Sequence, residues 1–136
     1  MSSETKPTCG SIVWTDLTVP DAGQLRDFYS AVAGWSPEPV SMGEYDDFNM
    51  LASVGGAPVA GICHARGPNA HLPAQWLMYV SVEDLDGRIR ECLRLGGKVM
   101  DGPRPMGKQR FCTIQDPAGA SLALIERPRP QDSLDS

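Results

Sequence analysis

Imidazole is scarce in this chain: His64 and His71 are the two histidines among 136 residues. Any acid–base or metal chemistry that needs imidazole must draw on them. They sit in or beside one Pro-flanked segment, where loop histidines are usually solvated or bound to backbone. Positive charge is also in short supply, with 12 Lys and Arg against 17 Asp and Glu and a net charge of -5. Phosphate backbones demand clustered Lys and Arg, so nucleic acid is excluded as a partner. No apolar run approaches the ~20 residues that span a bilayer, so no membrane partner is expected. The opening "MSSETKPTCG" lacks the basic-then-apolar order of a secretory signal, and the expected location is cytoplasmic. Cys9, Cys63, Cys92 and Cys112 show no CxxC spacing and read as structural, small free hydrophobes, rather than as a disulfide or a thiol site. No Ser-His-Asp order, G-x-S-x-G, P-loop or dinucleotide fingerprint is present.

What the chain does have is a repeated order of elements. "SIVWTDLTV" (11–19) is β-branched and aromatic and stops at Pro20, which predicts a strand. Asp21 then caps a helix whose apolar positions Ala22, Leu25, Phe28, Tyr29 and Val32 follow helical spacing, and Gly34 ends it. Strands are expected at about 35–40, 45–52 and 57–64. The second half repeats this order with "QWLMYVSV" (75–82), the cap Asp84, a helix carrying Ile89, Cys92 and Leu93, the stop Gly96-Gly97, and three more strands in "KVMDGP", "QRFCTIQ" and "ASLALIE". Asp21 and Asp84, Phe48 and Phe111, and Gly56 and Gly119 are each separated by the same 63 positions. An internal duplication of a βαβββ unit follows. One helix covers one face of each unit's strands, so two units are expected to curl around a cavity suited to a small ligand.

The pieces "VWTDLTVPDAGQLRDFYSAVAGW", "MYVSVEDLDG…LRLGGKV" and "DPAGASLALIE" resemble the vicinal oxygen chelate superfamily, which includes glyoxalase I, the bleomycin-resistance proteins and the extradiol dioxygenases. The resemblance covers about residues 10–127. It implies an α+β fold of two tandem βαβββ modules forming a curved mixed sheet around a cavity, with module one at about 10–66 and module two at about 74–127. The ends, 1–9 and 128–136, are expected to be disordered. Enzymes of the superfamily hold a divalent metal with His and Glu side chains. The implied ligand positions here are Thr15, Ala60, Met78 and Ala123, which offer no imidazole or carboxylate. The expectation is therefore no metal and no cofactor.

Strand alternation, with Thr15 and Ala123 taken to face the cavity, assigns its lining to Val13, Thr15, Leu17, Ala60, Ile62, Trp76, Met78, Val80, Ala123 and Ile125. Asp16 and Glu126 then point the other way, Asp16 toward the helix. Tyr45, Asp46, Asp47 and the basic "RPMGKQR" loop with Arg104, Lys108 and Arg110 stand around it as possible specificity groups. Two functional readings follow. One is a metal-free member of the superfamily that binds a small apolar or aromatic molecule. The other is an enzyme of lyase, isomerase or hydroxylase-like activity with relocated ligands or none, for which His64 and His71 are the available imidazoles. A homodimer is expected in either case.

Overall fold

The computed structural model describes residues 9–67, 70–71 and 73–127. The frayed ends expected from the sequence lie, residue 9 apart, outside the described residues. Eight strands and two helices form in the order read from the sequence: β1 (Ile12–Val19), α1 (Ala22–Ala33), β2 (Ser36–Ser41), β3 (Asp46–Leu51), β4 (Pro58–His64), β5 (Trp76–Val82), α2 (Leu85–Arg94), β6 (Lys98–Met106), β7 (Gln109–Gln115) and β8 (Ser121–Glu126). The α+β class and the doubled βαβββ order are thus what the chain forms. It divides into two compact units, 14–77 and 78–136 with 1–13.

In the 14–77 unit the strands are ordered β2-β3-β4-β1. β2, β3 and β4 run antiparallel as a meander, and β4 pairs with β1 in parallel. That parallel pair is the pairing the α1 crossover makes possible. Asp21 caps α1 by accepting the Gln24 amide at 3.1 Å, and Gly34 closes it in the left-handed conformation at φ 74°. The helix lays Ala22, Leu25 and Tyr29 on Leu17, Val19, Phe48, Met50, Ala60 and Ile62. Met50 and Ile62 are fully buried, each worth roughly 1.5–3 kcal/mol of apolar transfer. Trp35 and Trp76 close the end of this core against Tyr29, and the Trp76 indole donates to the Tyr29 hydroxyl at 3.1 Å. Phe28 and Val32, expected on the buried stripe, are exposed instead. The stripe runs through residues 22, 25 and 29, and Phe28 and Val32 fall beside it.

The strands of the 78–136 unit are ordered β5-β8-β7-β6, with β5 and β8 parallel and the rest antiparallel. α2 lays Leu85 and Ile89 on Val80, Val82, Cys112, Ile114, Leu122 and Leu124. Its N-terminus is tied from two directions. Asp84 accepts the Gly87 amide at 3.2 Å, while Glu126 at the end of β8 accepts the Leu85 amide at 2.8 Å. Glu126 also pairs with Arg110 on β7, which reaches on to Asp86 in the first helical turn. Those carboxylates raise the Arg110 pKa further above its ordinary value. The "DPAG" segment closes β7 onto β8 as a tight turn, with the Gly119 amide donating to the Asp116 carbonyl at 2.9 Å and the Asp116 carboxylate accepting the Ala118 and Ala120 amides.

Glu126→Ala leaves the Leu85 amide without its side-chain acceptor and removes one of the two carboxylates on Arg110. The expected cost is about 1–3 kcal/mol. Urea unfolding at neutral pH should show a lower midpoint with an unchanged slope.

Candidate functional site

The helices decide which side of each unit's strands is core. In the 14–77 unit Leu17, Ala60 and Ile62 pack beneath α1. Alternation gives Thr15 and Val13 the same side as Leu17. Trp14, Asp16 and Thr18 on β1, Gly61 and Cys63 on β4, and Asp47 and Asn49 on β3 therefore face away from the helix. The pairings agree, with Asp16 opposite Gly61 and Gly61 opposite Asn49. The expectation that Asp16 points toward the helix is thereby corrected, and so is the placing of Val13, Thr15, Leu17, Ala60 and Ile62 on the cavity side. The reason is a parity shift of one residue, because that assignment took Thr15 rather than Trp14 as the starting point.

In the 78–136 unit Val80 packs under α2, and Met78 shares its parity, 45% exposed. Both belong to the helix side, again contrary to the expected lining. Trp76 packs with Tyr29 and Trp35 in the first unit's core. Ala123 does lie away from the helix, paired with Tyr79 on β5 and Thr113 on β7, and Ile125 follows it opposite Ser81 and Phe111. This side is almost wholly buried at Tyr79, Ser81, Phe111, Thr113 and Ala123. Glu126 points to the helix side, as its bond to Leu85 shows.

The basic loop is already committed. Arg104 forms a two-nitrogen pair with Asp101 and lies over the Phe111 ring at 4.6 Å, and Arg110 is held by Glu126 and Asp86.

The chemically richest group that the structure assembles lies at the end of β3 and β4. The Asp47 carboxylate accepts the His64 backbone N–H at 2.9 Å and faces the His64 Nδ1 at 3.2 Å from the same oxygen. Both side chains are largely buried, at 14% and 23% exposed. The Cys63 thiol lies near the Asp16 and Asp47 carboxylates. The Tyr45 ring meets the His64 ring edge-on with centroids 5.3 Å apart, and the Arg66 guanidinium lies over Tyr45 at 4.1 Å. Asp16 and Trp14 continue the same side along β1. A Cβ at Gly61 would come within 3.2 Å of the Asp16 Cβ and 3.4 Å of the Trp14 ring, so glycine lets these two groups close over the strand. Tyr45, Asp47 and His64 were each visible in the sequence, but their mutual contact was not, because it spans 17 residues and a strand pairing. His71 is exposed, in the segment that connects β4 and β5.

The metal implied by the resemblance does not fit these residues. Thr15 and Ala60 lie on the helix side, and the residues facing away from it at those places are Trp14 and Gly61. Leu77, with the parity of Tyr79, and Ala123 are the corresponding residues on β5 and β8. Neither set contains an imidazole or a carboxylate, the donors that borderline and hard cations require. Among the described residues no cluster of three or more His, Cys, Asp or Glu is arranged to hold a metal ion.

Burial, followed by the Asp16 and Asp47 carboxylates, pushes the Cys63 thiol up to about 12, from an ordinary value of 9.0. Below about pH 9 the thiol is protonated folded and unfolded, and its contribution to stability is constant. Above that pH the unfolded chain releases the proton and the folded chain keeps it, so stability falls as pH rises toward 12. Cys63→Ala should therefore flatten the decline in urea midpoint between about pH 8 and about pH 10.5. The slope that remains belongs in part to Cys112, which burial raises to about 11.

Comparison with known proteins gives a consistent picture. A family model described as "Glyoxalase-like domain" matches residues 13–125. The anthracycline biosynthesis proteins DnrV of Streptomyces peucetius and DauV of Streptomyces sp. (strain C5) are each 30% identical to this chain over 117 residues. The match covers 86% of this chain and 42% of each relative, so the chain spans less than half their length. Among solved structures, a variant of Streptomyces coelicolor methylmalonyl-CoA epimerase in complex with 2-nitronate-propionyl-CoA aligns over 90% of this chain and 100% of its own. Its TM-score is 0.57 and its identity 18%, a likeness of fold.

Proposed function

Because the chain belongs to the glyoxalase-like domain family, we propose that it binds a small apolar or aromatic molecule, and does so without a divalent metal. The observation that carries this reading is the chemistry of the strand side facing away from α1. There Trp14 offers an aromatic ring that closes over Gly61 beside Asp16, and Asp47, in contact with His64 at the strand end, adds a second carboxylate. Apolar surface with a small number of placed polar groups is the usual composition of a small-molecule site. The absence of imidazole and carboxylate at Trp14, Gly61, Leu77 and Ala123 supports binding that does not use a metal. The apolar residues first assigned to the site, Leu17, Ala60, Ile62 and Val80, are helix-backed core and have no part in it.

The test is a thermal-shift screen of small aromatic molecules on the native chain, with and without a chelator. A ligand raises the melting temperature according to its concentration relative to Kd. The expected hits persist with chelator present, and Trp14→Ala weakens them at least ~10-fold, the loss of about one good aromatic contact. Stabilisation that vanishes with chelator and returns with Zn, Fe, Ni or Mn would overturn the metal-free reading.

A second reading is an enzyme of the same superfamily with lyase, isomerase or hydroxylase-like chemistry. The Asp47–His64 contact favours it, since a carboxylate behind an imidazole is a common arrangement for proton transfer. Turnover of a substrate found by such a screen should be lost in His64→Ala and kept in His71→Ala.

A further inference from the structure

The Asp47–His64 contact determines more than the presence of an imidazole. We infer that Asp47 holds His64 in the Nδ1–H tautomer, so that Nε2 presents a lone pair to a weakly acidic O–H of the bound molecule, as in a phenol or an enol. This rests on the small-molecule reading above and specifies its polar contact.

The tautomer follows from the acceptor. A carboxylate oxygen 3.2 Å from Nδ1 can only accept, so the neutral ring must carry its proton there and leave Nε2 bare. The carboxylate is itself fixed, because the same oxygen takes the His64 backbone N–H at 2.9 Å. The backbone bond sets the distance between β3 and the end of β4, and the ring bond sets the orientation of the imidazole. Tyr45 packs edge-on against the ring and limits its rotation. Nε2 has no hydrogen bond to any described residue.

The surrounding charges select the ligand class. Asp16, Asp47 and the sequence neighbours Glu44 and Asp46 make this end of the strands acidic. Arg66, stacked on Tyr45, is the cation beside it. Cys63 is kept as a neutral thiol. A carboxylate or phosphate ligand would be repelled at His64, whereas a neutral O–H donor meets the lone pair without that cost. If the proton crosses, the ligand O–H bond breaks and the Nε2–H bond forms. The electron pair remains on the ligand oxygen, and the imidazolium charge is met by the Asp47 carboxylate. Asp47 is therefore a positioning residue, and His64 the group that touches the ligand.

The test uses the native full chain and three readouts. Long-range 1H–15N correlation of the imidazole rings should show His64 in the Nδ1–H form, with exposed His71 as the internal reference. An Nε2–H form for His64 overturns the role of Asp47. Diethylpyrocarbonate acylates the bare imidazole nitrogen, and the rate at His64, read by mass spectrometry, should fall at least ~10-fold in Asp47→Asn, as expected when a group orienting a reactive histidine is lost. An unchanged rate overturns the orientation, and the native-chain tautomer stands as evidence even where Asp47→Asn fails to fold. p-Cresol, a phenol that stays neutral at neutral pH, should bind the native chain and bind His64→Gln ~10-fold more weakly, the effect of losing one neutral hydrogen bond at the upper end of its usual worth. Equal binding by His64→Gln, or no binding by the native chain, overturns the ligand class. Failure of the broader reading looks different, since then no aromatic probe of any kind raises the melting temperature.

Discussion

One helix covers one of the two sides of a four-stranded unit, and in this protein the choice of side governs everything else. In the 14–77 unit α1 settles on Leu17, Ala60 and Ile62 with Phe48 and Met50, and burial there supplies the main driving force for the unit. Because strand side chains alternate, that settlement sends Trp14, Asp16, Gly61, Cys63 and Asp47 to the other side without any further instruction. Shifting the strands by one residue would exchange the two sets and bury two carboxylates under a helix. The apolar contacts thus act as the register lock for the polar groups, at a cost in free energy that makes the alternative inaccessible.

The polar groups are organised around carboxylate acceptors. One oxygen of Asp47 takes two donors from His64. In the other unit Glu126 takes the Leu85 amide and the Arg110 guanidinium. Each carboxylate sits at the end of a strand pair and reaches a backbone N–H, so strand ends are fastened by side chains where the ladder runs out. The basic loop that composition marked as a candidate anion site is used in the same way, with its arginines turned inward to Asp101, Asp86 and Glu126.

The fold was legible because its signals are local. Asp21 and Asp84 as caps, Gly34 as a stop, the "DPAG" turn and the β-branched runs each act over four or five residues, and the doubled order follows from them. The site was legible only in part. Ala123 and Ile125 lie away from the helix, while Val13, Thr15, Leu17, Ala60, Ile62, Met78 and Val80 share the helix side. Alternation yields two sides but not which one the helix takes, and spacing borrowed from a motif fixes that choice only if it is right to the residue. Apolar content was no guide either, since both sides of β5 and β8 carry apolar side chains. The pairing of Asp47 with His64 depends on β3 meeting β4, a long-range fact that no window along the chain contains.

The fastening of α2 has a consequence for how the 78–136 unit opens. Helix ends ordinarily fray by themselves, and their first amides exchange with solvent through that fraying. Here the Leu85 amide is held by a side chain of the last strand, and Arg110 of β7 reaches across to Asp86 in the same turn. Proton exchange at Leu85 must then await the departure of the end of β8. The start of the helix and the end of the terminal strand form one cooperative piece, though 41 residues separate them along the chain.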